Sequence, residues 1–179
     1  MKCDLYQVYG LTETTGAITI MMPDDHNPER GKLRSCGKAL KGVELKVIDD
    51  DGNDLETGEI GEVISKSKLN MKGYWNKPDA TKESIVDGWF YSGDAGFFDE
   101  EGFLFIHDRV KDMIVSGGEN IYPAEVENAL MSHDEILDAA VVGVPDEKWG
   151  ESVKGFVVVG ESSLSEEEII SYTLSLIHI

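Results

Sequence analysis

Apolar and polar residues alternate through much of the first hundred positions, in runs too short for helices. VELKVI (43–48) alternates cleanly, and GEVIS (61–65), DGWFYSGD (87–94) and FFDEEGFLFI (97–106) continue the two-residue period of half-buried strands. DDDGN (49–53) supplies a tight turn around Asp51 and Gly52, and Gly88 and Gly102 fall at further turn positions. This spacing predicts a small, strongly bent antiparallel sheet. KGYWNKPDATKESIV (72–86) lies between its strands and predicts one short helix. After Arg109 the texture changes. Pro123 suits a first helical turn, Glu125 and Glu127 complement its positive end, and Val126, Ala129 and Leu130 fall on one face. AAVVGV (139–144) and KGFVVVG (154–160) read as two buried strands on either side of PDEKWGES. Ser165 with Glu168 forms a capping box and Leu164 with Ile169 a hydrophobic staple, so a second helix starts near Glu166. Helix, strand, strand, helix describes a small α+β unit, separate from the β-rich region and divided from it near Lys111.

Composition narrows the partners. The 179 residues carry a formal net charge of −19, which repels nucleic-acid phosphates and anionic membrane surfaces. No stretch has the length and apolarity of a membrane span or the core of a signal peptide. Cys3 and Cys36 lie far apart without metal-ligand spacing and read as reduced thiols of a cytoplasmic protein. The acidic turns at Gly52 and Gly102 fail as calcium loops. With either glycine at the invariant position, the required carboxylates are absent, so both read as hairpin turns. A Walker phosphate loop, a dinucleotide glycine fingerprint and a zinc cluster are also absent from the sequence.

Three stretches carry candidate chemistry. VYGLTETTG (8–16) ends a short strand in hydroxyls and one carboxylate. It can present Thr12 and backbone N–H groups to a phosphate and Glu13 to a divalent cation, or it is a threonine-rich turn. YSGDAGF (91–97) places Asp94 after a tight Ser-Gly turn. That carboxylate can receive both hydroxyls of a ribose, or it is a solvated turn residue. Arg109 and Lys111 sit two apart before an apolar run, a Gly-Gly pair and a proline-led helix, and surface charge is their default reading.

In this order, YGLTE, GYWNKPDAT, DGWFYSGD, DEEGFLFIHDR and VKDMIVSGGENIYPAEVE resemble the adenylate-forming, AMP-binding superfamily. That superfamily holds acyl-CoA synthetases, peptide-synthetase adenylation domains and beetle luciferases. The resemblance runs from Tyr6 to Thr173 and implies an α+β fold: a β-rich, distorted-barrel end of a large AMP-binding domain (1–110), then part of a small C-terminal α+β domain (111–173). It implies an acid–thiol ligase that uses ATP, Mg²⁺ and CoA to turn a carboxylic acid, foremost a fatty acid, into an acyl-adenylate and then a thioester. By motif, Tyr9 and Gly10 would lie at the adenine, Thr12 at the α-phosphate and Glu13 at Mg²⁺. Asp94 and Arg109 would hold the ribose, Lys111 would be the hinge, and Gly117 and Gly118 would admit the pantetheine of CoA. Ser92 stands where the family usually has threonine, which keeps the hydroxyl and bears only on fine positioning.

PDEKWGESVKGFVVV resembles fatty-acyl and related CoA ligases, with a carrier-protein-loading adenylation domain as the alternative acceptor reading. A non-catalytic acidic β-rich module is the reading from another class. No TSGTTGxPKG-like phosphate loop and no terminal PxxxxGK lysine occur in these residues, so the chain alone is expected to be inactive. LSLIHI (174–179) resembles a translated sequencing-adapter end and is expected to be a non-native tail.

Overall fold

The computed structural model describes residues 3–160 and 164–177. His178 and Ile179, in the expected tail, lie outside the described residues. The fold is α+β and strand-rich, with a curled half-barrel sheet, in two compact units that divide between His107 and Asp108.

The first unit opens with a three-stranded antiparallel sheet of β1 (Gln7–Leu11), β2 (Gly16–Met21) and β3 (Lys38–Ala39). A 3-10 turn, Thr12–Thr14, joins β1 to β2, and the register shifts between Tyr9 and Gly10. Gly10 is required by this close approach: a Cβ there would lie 2.0 Å from the Gly16 carbonyl oxygen. Ile18 and Met21 of β2 are fully buried.

A five-stranded sheet follows, built from β4 (Val43–Ile48), β5 (Gly61–Ser67), β6 (Ile85–Val86), β7 (Trp89–Phe98) and β8 (Leu104–Arg109). Alternation does what the sequence predicts: Val47, Val63 and Leu104 point inward together and form a core cluster. The Asp49–Asn53 turn closes on itself, with Asp49 Oδ1 accepting the Asp51 and Asn53 N–H groups at 3.0 and 2.8 Å. Helix α1 (Pro78–Ser84) is the short helix expected before β6, with proline in its first turn. Reciprocal bonds join the two sheets, from Cys36 N–H to Leu104 O at 2.7 Å and from Leu104 N–H to Gly37 O at 2.9 Å.

The second unit has a four-stranded sheet in the order β10-β9-β12-β11, formed by β9 (Ile114–Ser116), β10 (Glu119–Ile121), β11 (Ile136–Asp146) and β12 (Gly150–Val159). Helices α2 (Pro123–Met131) and α3 (Glu166–Leu176) begin where Pro123 and the Ser165–Glu168 capping box place them. Val126, Ala129 and Leu130 of α2 pack with Ile114, Ile121, Ile136, Val141 and Ile177. The expectation of two buried strands needs correction. β11 and β12 are longer; Ile136 and Val141 of β11 are buried and Val157 and Val159 of β12 only half-buried, while Val142, Phe156 and Val158 are exposed. Successive residues alternate sides, and the α2/α3 core covers only one of them.

Candidate nucleotide-binding site

In the first unit, the stretch after β1 is a fixed turn. Thr14 is completely buried and its hydroxyl takes the Leu11 N–H at 3.0 Å while lying 2.7 Å from Gly16 O. Thr12 begins the turn, exposed, and its carbonyl accepts the Thr15 N–H at 3.0 Å. Glu13 is half-buried, and its Oε1 accepts the Tyr74 hydroxyl at 2.8 Å. Burial, and then that bond to Glu13, pushes the Tyr74 phenol pKa up, so it remains a donor. Thr12 and Glu13 are consecutive residues of one small turn, which offers one hydroxyl and one hard carboxylate. One carboxylate with a neighbouring hydroxyl fits Mg²⁺, which keeps several waters and takes few protein ligands alongside substrate phosphates.

Asp94 belongs to a different local structure from the one expected. It does not follow a turn; Ser92, Gly93 and Asp94 form a bulge inside β7, where pairing jumps from Ile64↔Tyr91 to Glu62↔Ala95. The Ser92 hydroxyl makes the bulge possible, donating to Val63 O at 2.6 Å and accepting the Asp94 N–H at 3.0 Å. Gly93 supplies the left-handed φ of +71°, and its N–H donates to Glu62 Oε1 at 2.8 Å. Asp94 is thereby seated at 6% exposure.

Tyr9 is brought directly to it: the Tyr9 hydroxyl donates to Asp94 Oδ2 at 2.6 Å. Burial first, and then the Asp94 bond, drives the Tyr9 phenol far above its ordinary pKa and keeps it protonated. Sequence reasoning placed the Tyr9 ring at a base but missed its hydroxyl bond. It missed Tyr74 as well, since contacts across 85 and 61 residues leave no local pattern.

The remaining candidates lie in the second unit. The Arg109 N–H donates to Asp108 Oδ1 at 2.7 Å, and the other Asp108 oxygen accepts the Ala124 N–H at 2.8 Å. Asp108 thus caps α2 from a distance. A signal existed in the sequence: Tyr122 precedes Pro123, a position where short polar residues normally satisfy the free helix N–H groups. Lys111 is exposed within the 3-10 turn Val110–Asp112. Gly117 and Gly118 connect β9 to β10 with φ of +60° and +92°. A Cβ on Gly117 would lie 2.6 Å from the Trp149 ring, whereas one on Gly118 would meet nothing within 4 Å.

The described residues thus offer a rigid acidic turn, a buried carboxylate on a bulge and a glycine hairpin as candidate sites. Comparison with known proteins shows the family. The AMP-binding enzyme family model matches residues 1–75, and the AMP-binding enzyme C-terminal domain model matches residues 125–175. A fatty acid–[acyl-carrier-protein] ligase, ScoC of Streptomyces coeruleorubidus, is 47% identical over 88% of this chain and 30% of its own length. The long-chain-fatty-acid–CoA ligase FadD13 of Mycobacterium tuberculosis is 44% identical over 94% of this chain and 33% of its own. Among solved structures, o-succinylbenzoate CoA synthetase from Bacillus subtilis with its acyl-adenylate superposes at a TM-score of 0.86. It is 40% identical and covers 96% of this chain and 34% of that one. The same enzyme with ATP and magnesium ion gives a TM-score of 0.84 at 40% identity, covering 96% and 35%. The chain belongs to the AMP-binding, adenylate-forming enzyme family. It spans about a third of the length of these relatives.

Proposed function

We propose that the protein carrying this chain is an AMP-forming acid–thiol ligase of the cytoplasm that activates a carboxylic acid, foremost a fatty acid, and transfers it to CoA. The acid's carboxylate oxygen attacks the α-phosphorus of ATP, the bridging P–O bond breaks and pyrophosphate leaves. A thiolate then attacks the acyl carbon, and AMP departs with the electron pair of the broken C–O bond. Phosphoryl chemistry of this kind depends on positioning and charge stabilisation more than on covalent help.

In this reading Tyr9 and Gly10 border the adenine, Thr12 meets the α-phosphate and Glu13 holds Mg²⁺. Mg²⁺, when bound, neutralises phosphate charge. Asp94 and Arg109 receive the ribose hydroxyls, and Gly117 and Gly118 give pantetheine access. The large AMP-binding portion runs to residue 110 and the small one from 111, with Lys111 as the hinge between half-reactions. Proline at 111 fixes φ at about −65° and blocks rotation there, so Lys111→Pro should slow thioester formation far more than adenylation.

The observation that carries the reading is the Ser92–Gly93–Asp94 bulge. It commits a hydroxyl, a left-handed glycine and a second carboxylate, Glu62, to seating one buried aspartate. A solvated turn aspartate needs none of these. A carrier-protein thiol as acceptor is the second reading, favoured by the 47% identity to an acyl-carrier-protein ligase.

The test is ATP–pyrophosphate exchange by the full-length protein over a panel of fatty acids and o-succinylbenzoate, followed by thioester formation with CoA or a phosphopantetheinyl carrier protein. Acid-dependent exchange with thioester on CoA is expected. Exchange that proceeds only to the carrier selects the second reading, and no exchange with any acid rejects both. The 179-residue polypeptide by itself should show no exchange.

A further inference from the structure

The turn that presents Glu13 is held from outside. The Thr15 hydroxyl donates to Leu69 O at 2.6 Å, the Met71 N–H donates to Glu13 O at 2.6 Å, and the Tyr74 hydroxyl reaches Glu13 Oε1. Residues 69–74 therefore cross the turn as a strap, and both of its ends are moored. At one end, Asn70 Nδ2 donates to Ser65 O at 2.9 Å and the Ser67 hydroxyl donates to Asn70 Oδ1 at 2.9 Å. At the other, the Tyr74 N–H donates to Thr81 Oγ1 at 2.9 Å, and that hydroxyl donates to Lys77 O at 2.8 Å. Gly73 is pressed so closely to this mooring that a Cβ would lie 2.6 Å from Thr81 Cγ2.

Backbone position at Glu13 is already fixed by the Thr15 and Met71 bonds. The Tyr74 hydroxyl, which Ser84 also reaches, adds something different, because on Glu13 it meets the carboxylate and not the backbone. A donor held on one carboxylate oxygen restricts rotation of the group and leaves the second oxygen facing a defined direction. We infer that Tyr74 is a positioning residue, mounted on the 69–74 strap, that orients the Glu13 carboxylate toward a divalent cation. This rests on the reading of Glu13 as the Mg²⁺ ligand.

The experiment uses the full-length protein, wild type and the variants Tyr74→Phe, Glu13→Gln and the double variant. Mn²⁺ serves as a spectroscopic probe, titrated by electron paramagnetic resonance with a non-hydrolysable ATP analogue present. The Mg²⁺ dependence of exchange is measured alongside. Tyr74→Phe should weaken Mn²⁺ by about 10-fold, the lower end for loss of a ligand-orienting hydrogen bond. It should raise the KM for Mg²⁺ more than it lowers kcat, and add nothing in the Glu13→Gln background. If Glu13→Gln weakens Mn²⁺ while Tyr74→Phe leaves it unchanged, the strap inference is overturned and the Glu13 reading survives. A Tyr74→Phe protein that only melts earlier, with native Mn²⁺ affinity, also overturns it. Unchanged Mn²⁺ affinity in Glu13→Gln removes the Glu13 reading and this inference with it.

Discussion

Around Thr12–Thr14, three hydroxyls and one backbone N–H fix a three-residue turn: the buried Thr14 hydroxyl, the Thr15 hydroxyl on Leu69 O, the Met71 N–H on the Glu13 carbonyl and the Tyr74 hydroxyl on the Glu13 carboxylate. Around Gly117 and Gly118, the turn is bounded by one ring, Trp149, and by a single backbone bond from Gly117 N–H to Trp149 O at 2.9 Å. The first region fixes chemical groups in place, while in the second Gly117 gives its side-chain space to the Trp149 ring and Gly118 leaves an open surface. A site that binds a charged nucleotide gains from pre-set carboxylates, since reorganising them during reaction would cost energy. A passage for a flexible arm gains from missing side chains.

The largest expected effect breaks the first region. Gly10→Ala places a methyl carbon 2.0 Å from Gly16 O, against backbone that cannot swing aside. Overpacking of this kind should cost about 3 kcal/mol or more. Gly118→Ala meets no neighbour and carries only its left-handed backbone, about 1 kcal/mol. Hydrogen-exchange mass spectrometry of peptides spanning each turn should rank Gly10→Ala well above Gly118→Ala. The reverse order would mean that the glycine hairpin, not the Glu13 turn, is the tightly held one.

Asp94→Ala comes next, with a loss of about 1–3 kcal/mol in kcat/KM for ATP, the range for leaving polar partners unpaired. Tyr9→Phe keeps the ring and removes only the donor to Asp94 Oδ2, so its loss should stay near 1 kcal/mol. ATP kinetics at wild-type level in Asp94→Ala would return this residue to a structural role in the bulge.

Asp108→Ala tests the second unit outside the glycine hairpin, where one carboxylate serves both the Arg109 and Ala124 amides. Loss of the cap should cost about 1 kcal/mol, read as faster amide exchange in the first turn of α2. Unchanged exchange there would mean that the Ala124 bond contributes nothing.

How much of this was legible follows from range. Alternation gave VELKVI and GEVIS as strands because each decision involves only neighbours two residues apart, and Pro123 and Ser165–Glu168 marked helix starts for the same local reason. Motif resemblance singled out Glu13 and Asp94 by type. What could not be read were the supports: Tyr74 for Glu13, Tyr9 and Ser92 for Asp94, and Asp108 for α2. The Ser92–Gly93 bulge was misread as a turn because a left-handed glycine serves either structure, and the strand partner decides between them. One-sided burial of β11 and β12 was hidden by valines on both faces.

The smallest effect concerns Glu62, the second carboxylate at the bulge. Its Oε1 accepts the Gly93 N–H, yet its pKa is raised above the usual 4.5: burial is the largest cause, joined by the Asp94 and Asp50 charges against the Gly93 bond. A carboxyl whose folded pKa is raised lends its stability fully below the unfolded value and loses it as pH rises through the folded one. At neutral pH, then, the ionised Glu62 weighs against the fold. Glu62→Gln keeps the acceptor oxygen and removes the charge. It should melt with the wild type near pH 4 and progressively above it toward pH 8, by less than about 1 kcal/mol, since the group is half-exposed and solvent screens it. Melting curves across that range decide the matter. A gap that stays constant, or a glutamine variant that is less stable at pH 8, would show that the ionised carboxylate is needed to hold Gly93. The Asp94 seat would then depend on charge as well as on shape.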